Sequence, residues 1–326
     1  MYRSGVQSHA QTQDYEECGM QRIRIPFLII VITITLFPLF ATGQKEAVVS
    51  EQSPYSITDS RGVVITLKEA PQRIVSLSPN LTEILFALGI GDKVVGRTEY
   101  CDYPVEASDI PTVGDLFSPS IEKILSLEPD LVVIGNLGQA QTIDALERSG
   151  LTVAFIDEGE TLEGTSRLIT KVGTLTGVPE KALEVNQAID DSVKKAQSFS
   201  FDPPTVYYVA GFGEWGDFTA TGDTYLHDII TTAGAINIAS DAVNWGYQVE
   251  LILAHDPDII ILPALWGSTS EETKRIFTTT PPYNTLTAVK EDRIITSVEN
   301  SIIERQGPRS GQAVLLLAQA IANILR

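Results

Sequence analysis

The sequence predicts an α/β protein of two lobes, each built on a mostly parallel sheet, joined by a single long helix. Three observations predict it. A pattern occurs twice, at Ile121–Ile134 and Val249–Leu262, once in each half of the chain. Each copy reads as a short amphipathic helix, a turn of acidic residue, Pro and Asp, and a wholly apolar strand of the kind covered on both faces. Second, strand-like and helical stretches alternate through both halves, the pattern of parallel strands with helical crossovers. Third, residues 161–198 carry helical spacing and no strand signal, which places a helical connector between the halves.

With 326 residues the chain can fill two domains with their own cores. A net charge of −19 argues against nucleic acid, whose binding needs clustered Lys and Arg, and against anionic lipid surfaces. Two cysteines, Cys18 and Cys101, make no disulfide framework or zinc knuckle, and three scattered histidines (His9, His227, His255) make no imidazole-rich metal site.

In chain order, residues 1–43 divide into a polar extension and an export signal. Arg22 and Arg24 precede the apolar run Ile25–Phe40, which closes on Ala41-Thr42-Gly43. The run is about 16 residues, short of the roughly 20 of a membrane span. Met20 is the expected true start, and an uncleaved anchor is the alternative. Residues 44–72 form a polar tether and a hairpin, with Asp59-Ser60-Arg61-Gly62 as its turn. The first lobe is expected over 73–160. It opens on the strand Arg73–Leu77 and a helix begun by Ser78-Pro79-Asn80, in which Asn80 and Glu83 have capping-box spacing. Val94-Val95-Gly96 is a short strand, and the loop after it holds Tyr100 and Tyr103. The first repeat copy, a helix over about 140–149 and the strand Val153–Ile156 complete the lobe.

Residues 161–200 hold two helices broken at Gly177-Val178-Pro179. The second lobe, 201–326, opens on the strand Thr205–Ala210. Gly211 to Gly216 matches the dinucleotide pattern GxGxxG, but the residues after it read as extended, with the next helix starting only near Thr224. That spacing leaves no helix N-terminus to hold a pyrophosphate. The helix Tyr225–Ala233, an aromatic loop at Asn244–Tyr247, the second repeat copy, a late strand at Arg293–Thr296 and the helix Ser310–Leu325 follow.

This order of motifs resembles the substrate-binding proteins of bacterial ABC importers for metal chelates: cobalamin, iron–siderophores and haem. The resemblance runs from about Tyr55 to the C-terminus. It is carried by Thr58–Gly62, Arg73–Pro79 with Glu83, Tyr100–Pro104, both repeat copies, the Trp245 loop and Gly307-Pro308-Arg309. It implies two lobes with the ligand between them, no catalysis and no resident cofactor. It also implies extracytoplasmic action as a monomer that delivers its chelate to an inner-membrane permease. By motif, the acidic residues that dock on the permease fall on Glu122 and Glu250, the same position in the two copies. Tyr100 and Arg305 match ligand-contacting positions and Trp245 lies near another. Leu116, Gly135 and Ser301 depart from the cobalamin pattern.

The expected ligand contacts are Tyr100, Phe117, Phe212, Trp215 and Trp245, whose rings suit a flat macrocycle or catecholate, with Arg305 and Arg309 for ligand carboxylates. Two other readings stay open from sequence. One is a nucleotide-binding enzyme using the Gly211 loop, and the other is a membrane-tethered sensor using the same cleft.

Overall fold

The computed structural model describes residues 54–326 apart from Trp215 and Trp266. The export signal, Met20 and Cys18 therefore lie outside the described residues. The chain divides into the units Met1–Ser50 and Glu51–Arg326, and the architecture is that of the second.

Strands β1 (Ser56–Thr58) and β2 (Val64–Thr66) form the expected hairpin, with Ile57 opposite Ile65. The buried Asp59 carboxylate organises its turn. It accepts hydrogen bonds from the Arg61 and Val63 amides, from Arg61 Nε at 2.8 Å and Nη2 at 2.6 Å, and from the Phe155 amide. Burial alone would raise the Asp59 pKa; these donors outweigh it and hold the carboxyl below its usual value.

The first lobe follows as β3 (Ile74–Ser76), α1 (Pro79–Ala87), β4 (Val94–Arg97), α2 (Ile121–Ser126), β5 (Leu131–Ile134), α3 (Ala140–Arg148) and β6 (Val153–Phe155). Its sheet is parallel throughout, in the order β4-β3-β5-β6. Helices α4 (Leu162–Thr176) and α5 (Pro179–Gln197) connect to the second lobe, with the break at Gly177 in the left-handed conformation, as expected.

The second lobe runs β7 (Thr205–Tyr208), α6 (Tyr225–Thr232), β8 (Ile236–Asn237), α7 (Val249–His255), β9 (Ile259–Ile261), α8 (Ser270–Thr279), α9 (Thr287–Lys290), β10 (Ile294–Ile295), α10 (Asn300–Ile303) and α11 (Ser310–Ile324). Its parallel sheet has the order β10-β9-β7-β8. Numbered from its own first strand, each sheet reads 2-1-3-4, so the repeated pattern reports a repeated topology. Strand β8 was not evident in the sequence: it spans two residues, one of them exposed, too short for any periodicity to show.

Both sheets are covered on both faces. In β3, Ile74 and Val75 enter different apolar clusters, and in β7 Tyr207 faces away from Val206 and Tyr208. Helix α5 is shared by the lobes: Ala182 and Ile189 pack into the first core, Ala196 into the second. Helix α11 lies tight against it. A Cβ on Gly311 would come 2.6 Å from the Ile189 carbonyl oxygen, so only glycine permits the approach.

The Asp of each repeat has a structural task. The Asp130 carboxylate accepts from the Gln72 amide at 2.7 Å and the Arg73 amide at 3.1 Å, at the entrance to β3. Asp258 does the same for β7, accepting from the Thr205 amide at 2.8 Å and hydroxyl at 2.7 Å. Each therefore ties a third strand to the entrance of the first. Asp130→Ala and Asp258→Ala are each expected to cost about 1–2 kcal/mol, and the double variant their sum, because the sites share no partner. Denaturant unfolding of the three variants checks this, and a double variant no worse than either single one contradicts it.

Candidate functional site

A cavity of about 450 Å³ opens between the lobes. From the first lobe it is walled by Pro79 and Asn80 at the start of α1, Asn136 and Leu137 after β5, and Glu160 after β6. From the second come Asp223 and Thr224 before α6, Trp245 in the loop leading to α7, and Glu304, Arg305 and Gln306 between α10 and α11. All of these segments follow the carboxyl ends of strands, where open parallel sheets place their ligands.

The walls are held by specific contacts. Ser78 Oγ accepts the Gly135 amide at 2.7 Å, drawing together the loops after β3 and β5. A Cβ on Gly135 would lie 2.9 Å from that hydroxyl oxygen, which accounts for a glycine at this position. On the other wall, Asn244 and Trp245 both adopt positive φ, +62° and +66°. For Trp this is a costly conformation, of a kind that clusters at binding sites. It is maintained by Asp223, which accepts the Asn244 amide at 3.0 Å, and by Thr221 Oγ1, which accepts the Trp245 amide at 3.0 Å. The hydrogen bond donated by the Thr221 hydroxyl is the main cause that lowers the Asp223 pKa. Glu304 accepts the Tyr208 hydroxyl at 2.7 Å; burial nonetheless raises its pKa above the usual carboxylate value.

Across the cleft floor the lobes are joined by polar contacts. Glu83, 2% exposed, is the centre. It accepts Arg309 Nε at 2.8 Å and Nη2 at 2.7 Å in a forked pair, and Arg305 Nη1 at 3.1 Å. Arg305 Nη1 also meets Asp102 Oδ1 at 2.6 Å, and the Arg309 guanidinium lies 3.9 Å from the centre of the Tyr103 ring. Gln306 Nε2 donates to the Gly159 carbonyl at 2.6 Å, and the Leu162 amide donates to Asp228 at 2.6 Å. Glu160 accepts both Asn136 Nδ2 and the Tyr225 amide, one from each lobe.

The residues singled out from sequence separate clearly. Trp245 and Arg305 line the cavity. Tyr100 and Phe117 stand half-exposed on loops beyond the carboxyl end of β4, and neither lines it. Phe212 is a correction: it is buried edge-on against the rings of Phe277 and Tyr283 and serves the second core. Arg309 is another: it is buried, and its guanidinium is spent on Glu83 and the Ser301 carbonyl. Trp215 lies outside the described residues. In the segment after the Gly211 loop Phe218 is bridged to Gly211 and Gly246, and among the described residues the first helix after β7 starts at Tyr225. Glu122 and Glu250 are exposed in the first turns of α2 and α7, which begin on the cleft side of each sheet.

Glu83 was misread from sequence as a helix cap. Ser78 is the N-cap residue of α1, and no side chain caps that end. One signal was available: Glu83 lies among Leu81, Ile84 and Leu85 on the buried face of its helix, where a carboxylate needs a partner. Asn80, Asn136, Glu160, Asp223 and Glu304 carried no such signal. The cavity thus combines three carboxylates, one already paired guanidinium, three side-chain amides and one indole. Among the described residues, no group of His, Cys, Asp and Glu could hold a metal ion by itself.

The profile of the periplasmic binding protein family matches residues 74–299. An "Uncharacterized ABC transporter substrate-binding lipoprotein YvrC" of Bacillus subtilis is 29% identical over 280 residues, covering 83% of this chain and 87% of the relative. A "Cobalamin-binding protein" of Halobacterium salinarum is 26% identical over 322 residues, covering 93% of this chain and 86% of the relative. Among solved structures, the periplasmic heme-binding protein RhuT from Roseiflexus sp. RS-1 superposes with a TM-score of 0.67 at 27% identity, over 78% of this chain and 99% of that one.

Proposed function

The chain belongs to the periplasmic binding protein family, and from that premise we propose that it is the solute-binding component of an ABC importer for a corrinoid-type metal chelate. The observation that carries the choice of ligand is the cavity's charge. Glu160, Asp223 and Glu304 face a single cation, Arg305, which Glu83 and Asp102 already balance. A corrin periphery of neutral carboxamides can hydrogen-bond to such walls in both directions. Haem propionates or an anionic ferric catecholate would bring negative charge to an acidic site. Haem also needs an axial donor, and among the described residues no imidazole, thiol, thioether or phenol lines the cavity. The cobalamin-binding relative of Halobacterium salinarum supports the same ligand.

A corrinoid larger than the cavity would stand above it, against Trp245 and the half-exposed Tyr100, Phe117 and Leu137. Delivery follows from the two exposed acids, Glu122 and Glu250, which dock on arginines of the permease. Residues 20–43 export the chain, which acts outside the inner membrane as a monomer.

Titration with cyanocobalamin, haemin and a ferric catecholate, followed by tryptophan fluorescence and calorimetry, tests the ligand. Cyanocobalamin is expected to bind and the other two not to. Trp245→Ala is expected to weaken cyanocobalamin binding about tenfold, the upper range for a stacked ring. Haemin binding without corrinoid binding would overturn the proposal and point to an exposed phenol such as Tyr100 as the iron ligand.

A further inference from the structure

Arg305 lines the cavity, whereas the two carboxylates that touch it, Glu83 and Asp102, do not. Both carboxylates converge on one nitrogen, Nη1, at 3.1 Å and 2.6 Å. Among the described residues, no hydrogen bond reaches Nε or Nη2 of Arg305. The two anchors come from different elements of the first lobe: Glu83 from α1, and Asp102 from the loop beyond β4. Arg305 itself belongs to the second lobe. A long, flexible side chain is thus gripped at one corner from behind.

We infer that Glu83 and Asp102 are positioning residues that aim the free Nε–Nη2 edge of Arg305 into the cleft as a preformed two-donor contact for a ligand acceptor. The acceptor is a carboxamide oxygen, whose two lone pairs can take both N–H groups, or a pair of phosphate oxygens, which take them in parallel. A guanidinium loses little further freedom on binding when its orientation is already set. Two carboxylates also offset its charge, so the edge offers hydrogen bonds without demanding an anion. Glu83 has a second duty in the Arg309 pair. Asp102 has no other side-chain partner among the described residues and is 62% exposed, so it can be changed without burying an orphan charge. The hydrogen bond to Arg305 is also what chiefly offsets burial at Asp102 and lowers its pKa.

The inference rests on the ligand site proposed above, and its test has a ligand-free arm. In the unliganded protein, the two contacts on Nη1 are expected to slow rotation of the Arg305 guanidinium about Nε–Cζ, which gives a resolved Arg305 Nη signal in nitrogen-edited NMR. In Asp102→Ala it should become averaged, and Asp102→Glu should restore it. An Arg305 signal as mobile in the wild type as in Asp102→Ala overturns the inference whatever ligand binds. In the liganded arm, with cyanocobalamin as probe, Asp102→Ala is expected to weaken binding about fivefold, and to have no effect once Arg305→Ala is present, as for residues acting through one contact. A loss that persists in the Arg305→Ala background would mean a structural role and would also overturn it. If cyanocobalamin does not bind the wild type but Arg305 is held, the ligand assignment fails and the positioning role stands on the NMR result.

Discussion

Glu83→Ala is expected to destabilise the protein by about 3–5 kcal/mol, the cost of removing one partner from a buried ion pair. The reason is what remains behind. The Glu83 side chain is 1% exposed and that of Arg309 10%, so the guanidinium would be left desolvated with the neutral carbonyl and hydroxyl of Ser301 and the Tyr103 ring. For a chain of this size the loss corresponds to a fall in Tm of about 10 °C. Replacing both partners, as in Glu83→Ala with Arg309→Met, should recover most of it, since an absent pair costs less than half a pair. Glu83→Gln, which keeps one acceptor oxygen, should fall between. Calorimetric melts of the four proteins decide the matter. A Glu83→Ala protein within about 1 kcal/mol of wild type would show that the pair adds little to holding the lobes together.

The second large effect is functional. Glu122→Arg combined with Glu250→Arg is expected to abolish uptake while leaving solution affinity for the ligand unchanged. Each glutamate is exposed in the first turn of its helix, and neither lines the cavity. The two helices occupy equivalent positions in sheets of the same strand order, so the acids stand at matching places on the two lobes. Charge reversal would set like charges against the arginines of a permease, a repulsion that docking does not tolerate. A carboxylate in a helix's first turn also complements the helix dipole, worth about 0.3–1 kcal/mol. That local effect would appear as a slight loss of stability with transport intact. Uptake in a strain lacking the native protein, beside calorimetric affinity, separates the two. Full uptake by the double variant would reject the docking role.

These two cases differ in how far the sequence exposed them. The acids proposed to dock were singled out by the family resemblance; their equivalence came from the repeat, and repetition is visible without any fold. The pairing of Asp130 and Asp258 with the entrances of β3 and β7 was half visible: the Pro-Asp turn could be read, its partner could not. The aromatic candidates fared less evenly. Trp245 reached the cavity wall, but Phe212 went to the core, because an apolar ring in a glycine-rich loop can satisfy itself in either place and composition does not distinguish them.

Local chemistry by itself determined the two lobes, their buried parallel strands, the broken helical connector and the equivalence of Glu122 with Glu250. All of these follow from periodicities and turn residues that act within a few positions along the chain. The tertiary structure alone decided which polar residues face the ligand and which bind the lobes together. Glu83 meets Arg305 and Arg309 across 222 and 226 positions of sequence. A contact closed over that distance is selected by the packing of whole sheets and leaves no periodic trace in either segment.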